Sequence, residues 1–251
     1  MTKSRFSISN KTVVVTGASR GIGFAIAKAF AQEGANVVLA ARSKNRLEKA
    51  ICLIGDVSGS ITTLELDVSN QASIDSAFSQ LGSVDVLVNN AGVEQVCSSI
   101  DVTEDIWDKV VDTNLKGAFF CAQAAAKKMI EKGDGVIINL CSLTSEVGVP
   151  GAVPYGASKS GILGMTRALS TEWASQGIRV NGIGPGYFQT EMTEIFYNDS
   201  DWCESMLGKI PQQRFGELDD LIGSAIFLAS DASKYITGQV IYVDGGYLAS
   251  I

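Results

Sequence analysis

Histidine is absent from the 251 residues of this chain. That single absence excludes Ser-His-Asp hydrolysis, Cys-His proteolysis and every imidazole-ligated metal centre, so no metal is expected. Basic residues are also outnumbered, 20 against 27 acidic ones, for a formal charge of −7. A nucleic-acid binder needs a basic face, and this balance argues against one. The five cysteines, Cys52, Cys97, Cys121, Cys141 and Cys203, contain no C-x-x-C pair. Neither a zinc knuckle nor a thioredoxin-type site can be drawn from them. Most sit in apolar runs, where a reduced thiol behaves as a small hydrophobe, and this suits a reducing cytosol better than secretion. No stretch approaches the roughly 20 apolar residues of a membrane span. Met1–Lys11 is polar and lacks the apolar segment of a signal peptide. The expectation is a soluble cytoplasmic protein with no nucleic-acid or membrane partner.

What is present is an ordinary globular composition, 46% hydrophobic and 19% charged, which excludes intrinsic disorder. A chain of this size buries roughly 70–75% of its unfolded surface and needs no disulfide or metal to hold it. Short β-branched runs alternate with helical patterns along its length. Strands are expected at Thr12–Thr16, Asn36–Ala41, Ile61–Leu66, Asp85–Asn89, Val136–Leu140, Ile178–Ile183 and Gln239–Val243. Helices are expected near Gly21–Glu33, Lys44–Ile54, Asn70–Leu81, Glu104–Glu131, Pro154–Gln176 and Asp219–Leu228. The strand runs are continuously apolar rather than alternating, which is what a parallel sheet covered on both faces requires. The reading is one doubly wound α/β domain over residues 1–251, with seven parallel strands and helices on both sides. One stretch, Tyr187–Phe215, is long, aromatic-rich and poorly periodic. Connections of that length inside a compact domain are usually functional, and it is taken as a substrate lid.

Between the first strand and first helix the chain reads Thr16-Gly17-Ala18-Ser19-Arg20-Gly21-Ile22-Gly23. In an open α/β sheet, ligands bind outside the carboxyl ends of the strands, where a helix N-terminus meets a pyrophosphate. Gly17 would permit the tight turn, Gly21 the approach of backbone to ligand, and Gly23 close helix–strand packing. The spacing is G-x-x-x-G-x-G and not G-x-G-x-x-G. Further along, Tyr155 and Lys159 are four apart in a helical segment and share a face. A tyrosine titrates near 10, so it needs help to exchange protons at neutral pH. An adjacent ammonium favours the phenolate and would lower that pKa. Ser142, just past a strand, would emerge at the same edge of the sheet and bond a substrate oxygen.

These motifs, with Asn89-Asn90-Ala91-Gly92, Pro185-Gly186, and Asn114 between them, fall in the order and spacing of the short-chain dehydrogenase/reductase family. The resemblance covers Lys11 to Gly246 and implies a Rossmann-type fold. It implies that Tyr155 passes a proton to a carbonyl oxygen as hydride arrives from a nicotinamide, and takes it back in oxidation. By the same resemblance Lys159 also binds the nicotinamide ribose and Ser142 orients the carbonyl. Asn114 would hold a water that connects Lys159 to solvent. Ser19, Ile22 and Gly92 join the cofactor set, with Asp67 and Val68 at the adenine and Asn90 near its ribose. Thr190, after Pro185 and Gly186, would fix the carboxamide, and Phe188 would make a bulkier nicotinamide contact than the family's aliphatic residue. The helices carrying Asn114 and Tyr155 commonly pair between subunits in this family, which implies a homotetramer.

Cofactor choice follows from the end of the second strand, Ala40-Ala41-Arg42-Ser43. An NAD site places a carboxylate there for the ribose 2′-hydroxyl. Ala41 stands in its place, Arg42 follows, and Arg20 could approach from the glycine turn, which together point to NADP(H). Glu94 and Gln95 read as solvated loop residues, Glu172 and Trp173 as helix surface and core, and Trp107, Phe119 and Phe120 as packing. The substrate expected is a ketone or alcohol, hydrophobic or aryl rather than sugar-like, given the apolar density of 187–215. A 3-oxoacyl-carrier reductase, a sugar-acid dehydrogenase and a nucleotide-sensing module without catalysis stay open beside it.

Overall fold

The computed structural model describes residues 4–191 and 193–251. Residues 1–3, Met192 and the side chain of Ile195, an apolar residue of the 187–215 stretch, lie outside the described residues. Seven strands form one sheet: β1 Thr12–Thr16, β2 Asn36–Ala41, β3 Ile61–Glu65, β4 Val86–Asn89, β5 Gly135–Leu140, β6 Ile178–Pro185 and β7 Val240–Val243. Their order is β3-β2-β1-β4-β5-β6-β7, and every neighbouring pair is parallel. The chain moves outward from β1 through β2 to β3, then returns to place β4 on the other side of β1. That reversal opens a crevice at the carboxyl ends of β1 and β4.

The strands are apolar throughout because alternate residues enter two different cores. Val13 and Val15 of β1, with Val37, Leu39, Val86 and Val88, pack against α1 (Gly21–Gln32), α2 (Lys44–Ile54) and α9 (Ile222–Ala229) through Ile26, Phe30, Leu47 and Leu228. Val14, between them, faces the other way. With Val38, Leu87 and Ile137 it meets Ile74 and Phe78 of α3 (Gln71–Ser79), Met129 of α5 (Gly117–Lys132), and Leu169 and Trp173 of α6 (Val153–Trp173). Each fully buried aliphatic or aromatic side chain contributes about 1.5–3 kcal/mol, so both faces are held independently.

Two expectations need correction. The helix expected over Glu104–Glu131 is interrupted. α4 (Glu104–Val111) ends in a wide π-type turn, Asp112–Lys116, before α5 begins. At Gly117 the helix presses so closely on the loop after β3 that a Cβ would come within 2.5 Å of the Val68 carbonyl oxygen. The 187–215 stretch, expected to be irregular, contains α7 (Glu194–Tyr197) and α8 (Ser200–Leu207). Asp199 starts α8 by accepting hydrogen bonds from the amides of Asp201 and Trp202, an aspartate N-cap.

Candidate active site

A cleft of about 580 Å³ lies over the β1–β4 reversal. It falls within the size range of small-molecule and cofactor sites. Every residue of the expected cofactor set lines it except Gly23. Gly17 (φ +66°) and Gly21 (φ +57°) both adopt left-handed backbone, which a side chain would strain. Gly23 packs where a Cβ would meet Asn90 Nδ2 at 2.3 Å, so its role is the close packing expected of it. The first turn of α1 contains no acidic residue and its N-cap, Arg20, makes no side-chain capping bond. Its free amides therefore face the cleft as an anion site.

Asn90 locks this turn. Its side-chain amide donates to the carbonyls of Thr16 (2.9 Å) and Gly17 (3.2 Å). Thr16 Oγ1 in turn accepts from the backbone amides of Asn90 and Ala91, both at 3.0 Å. Asn90 thus reaches the cleft wall with both side-chain N–H donors given to the turn. Asp67 Oδ1 accepts from the amide and hydroxyl of Ser69. At the end of β2, Arg42 and Arg46 are exposed, line the cleft and, among the described residues, have no ion-pair partner. Arg46, in the first turn of α2 and four residues beyond Arg42, escaped the sequence reading. Arg20 instead pairs with Glu191, a cleft residue that no motif or spacing marked.

Ser142, Tyr155 and Lys159 converge on the other end of the cleft. The Lys159 ammonium lies 5.5 Å from the centre of the Tyr155 ring and donates to the Leu140 carbonyl at 2.6 Å. Burial lowers its pKa to about 8, with Cys141 and Glu94 pulling weakly the other way. The sequence reading expected Lys159 to lower the Tyr155 pKa. In this arrangement burial dominates and raises it, Glu94 adds to the rise, and a hydrogen bond with Ser142 opposes it. Desolvation of the phenolate outweighs a cation that is itself turned to a carbonyl.

Asn114 does not line the cleft. It is buried behind the wall, accepting from the Val93 amide (2.8 Å) and donating to the Val93 carbonyl (2.9 Å) and Ser158 Oγ (3.1 Å). Its side chain joins the loop after β4 to α6. Phe188 reaches the cleft, yet its ring is buried against Gly216, where a Cβ would come within 2.4 Å. The bulk expected at the nicotinamide is directed there. The aromatic residues of 187–215 pack mainly on one another: Trp202 lies 5.7 Å from Tyr187, 5.5 Å from Tyr197 and 5.5 Å from Phe196 between ring centres. From this segment the cleft receives Phe188, Thr190, Glu191 and Thr193, a more polar lining than expected. Trp107 is 40% exposed in the single chain, whereas Phe119 and Phe120 pack beside the second core as expected.

A family model described as enoyl-(acyl carrier protein) reductase matches residues 17–248. Gluconate 5-dehydrogenase of Gluconobacter oxydans is 39% identical over 250 residues, 98% of each chain. A 3-oxoacyl-(acyl-carrier-protein) reductase of Staphylococcus epidermidis is 43% identical over 242 residues, covering 94% of this chain and 98% of its own. Among crystal structures, a candidate short-chain alcohol dehydrogenase from Sinorhizobium meliloti superposes with a TM-score of 0.94 at 55% identity, over 99% of this chain and 100% of that one. A gluconate 5-dehydrogenase from Burkholderia cenocepacia, in complex with NADP and tartrate, gives a TM-score of 0.95 at 35% identity over 98% of each chain. Likeness of this depth, spread along nearly the whole sequence, extends beyond the fold: the chain belongs to the short-chain dehydrogenase/reductase family of oxidoreductases.

Proposed function

We propose that the protein is an NADP(H)-dependent carbonyl reductase, and in reverse an alcohol dehydrogenase. The observation that carries this reading is the convergence of Ser142, Tyr155 and Lys159 on one cleft with the glycine turn. NADP(H), when bound, supplies or accepts the hydride. The α1 amides and the turn from Gly17 would hold its pyrophosphate, with Arg42 beside the 2′-phosphate and Asp67 and Val68 at the adenine. Pro185, Gly186 and Thr190 would border the nicotinamide. The absence of a carboxylate at Ala41 supports the phosphorylated cofactor. So do the relatives of known structure that carry NADP.

Tyr155 would donate its phenol proton to a carbonyl oxygen held by Ser142, with burial of the ring opposing the ionisation that this exchange requires. Asn114 acts by fixing the wall of the site against α6. The chain is read as one domain with residues 187–215 as its lid, assembling as a cytoplasmic homotetramer. Exposed Trp107 on α4 and Val153 on α6 support a subunit contact there. A second reading, a sugar-acid dehydrogenase or 3-oxoacyl-carrier reductase, draws on the names of the relatives.

The test is a panel of ketones and alcohols followed by nicotinamide absorbance with each cofactor, in wild type and Tyr155→Phe. We expect turnover with NADPH and a fall on the order of 10²–10⁴ in the variant, with NADPH still bound. Near-normal turnover in Tyr155→Phe would overturn the mechanism.

A further inference from the structure

Glu94 occupies the substrate end of the cleft and has no function in the mechanism above. It lines the same wall as Ser142, Tyr155 and Lys159 and is half-buried. Among the described residues, its carboxylate has no hydrogen-bond or ion-pair partner. Its place in space is fixed by its neighbour: both backbone groups of Val93 are held by Asn114, at 2.8 and 2.9 Å. The residues that follow are anchored too, since the Cys97 amide donates to the Gly151 carbonyl at 2.9 Å. Glu94 is close enough to oppose ionisation of Tyr155 and to feel the charge of Lys159. Burial holds its own carboxyl above the usual range, and Lys159 pulls it back.

The charges around it are as informative as the residue. Of the basic side chains lining the cleft, Arg42 and Arg46 stand at the end of β2, away from the Tyr155 end. Arg20 is paired with Glu191, and Lys159 donates to the Leu140 carbonyl. Lys109 lies outside the lining and donates to Gln95 Oε1. Among the described residues the only basic side chain lining this end is thus Lys159, buried and with one of its three N–H donors given to the Leu140 carbonyl, whereas the Glu94 carboxylate there has no such bond.

We propose that Glu94 is a specificity-determining residue: it accepts a hydrogen bond from a hydroxyl or ammonium group next to the reacting carbon, and it repels substrates that carry a carboxylate or phosphate there. The substrate is then a neutral or cationic hydroxy-carbonyl compound, not a sugar acid. This inference rests on the carbonyl-reductase reading above and narrows its substrate class.

The test uses hydroxyacetone and pyruvate, which differ chiefly in a hydroxymethyl against a carboxylate beside the ketone. For wild type and Glu94→Gln, the ratio of kcat/KM for pyruvate to that for hydroxyacetone is measured with NADPH. Comparing the two ratios cancels both intrinsic electrophilicity and any general loss of activity. Removing one like charge at the site should raise the ratio by about tenfold in Glu94→Gln, and Glu94→Lys should raise it further. In parallel, both compounds are titrated calorimetrically into enzyme loaded with oxidised NADP, where no hydride can move. If neither ketone is turned over, the carbonyl-reductase reading is decided by the wider panel above, while weaker binding of pyruvate than hydroxyacetone, relieved in Glu94→Gln, still upholds the role of Glu94. A ratio unchanged by both substitutions, or equal or absent binding of both compounds, overturns it.

Discussion

The Arg20 guanidinium is paired with the Glu191 carboxylate, so the glycine turn before α1 is tied to the segment that follows β6. Arg20 is also one of the two arginines assigned to the cofactor phosphate, and Glu191 competes for it. Both side chains are about half exposed, at 48% and 61%, where an ion pair contributes on the order of 0–1 kcal/mol. Glu191→Gln should therefore tighten NADPH binding by up to about fivefold. Fluorescence titration of the reduced cofactor measures it, and an unchanged Kd would assign Arg20 to the lid alone.

Arg42 is the stronger phosphate ligand, being without an ion-pair partner among the described residues. Loss of a charge-assisted hydrogen bond costs on the order of 1.5–3 kcal/mol, so Arg42→Ala should weaken NADPH binding roughly ten- to a hundredfold. NADH binding should hardly move. Ala41→Asp should turn the preference toward NADH by placing a carboxylate where the phosphate would sit. Wild type that uses NADH faster than NADPH, at equal low concentration, would contradict the assignment.

Lys159 gives the folded protein a pH dependence of definite sign. Its pKa is about 8 in the native state against a normal 10.5, so between those values the unfolded chain binds the extra proton. Stability contributed by this site accordingly rises with pH across that window, and below it the cost of burying the ammonium is felt in full. In Lys159→Met the site no longer titrates. The stability difference between wild type and variant should shift in favour of wild type from pH 8 to pH 10. Denaturant midpoints at fixed cofactor-free conditions would read it, and a flat difference would mean the ammonium is better solvated than its burial implies.

Trp202 is the centre of the aromatic cluster in 187–215, with Phe215 stacked at 6.1 Å and three further rings about it. Trp202→Ala should loosen that cluster and expose the segment to limited proteolysis, with a core-like cost of about 3–5 kcal/mol shared among its rings. Substrate ranking should change less than absolute kcat/KM. A variant as resistant to protease as wild type, with a reordered substrate panel, would return Trp202 to the pocket lining.

The strands were legible because residues buried on both sides leave a plain signature: Val13, Val14 and Val15 are apolar in succession since they enter alternate cores. The helix break at Asp112–Lys116 was not, because no proline marks a π-type turn, and the close approach of Gly117 to Val68 beside it is a tertiary contact that local sequence does not report. Asp199 did carry a capping signal for α8, hidden by the aromatic residues around it. Spacing placed Tyr155 and Lys159 side by side, yet the direction of the tyrosine's pKa depends on burial, which spacing does not report. Glu94 was read as a solvated loop residue for the same reason, since a loop's polarity does not tell which side of it faces a cleft.

The Asn114 bonds have a consequence for how the cleft can work. Three hydrogen bonds from one buried side chain join the loop after β4 to α6, and those two elements carry Glu94 on one hand and Tyr155 with Lys159 on the other. Displacing either relative to the other means breaking that joint at a buried side chain. The acid-base group and the charge facing it thus behave as a single fixed anvil, and any closure on a substrate has to be delivered by the opposing 187–215 side.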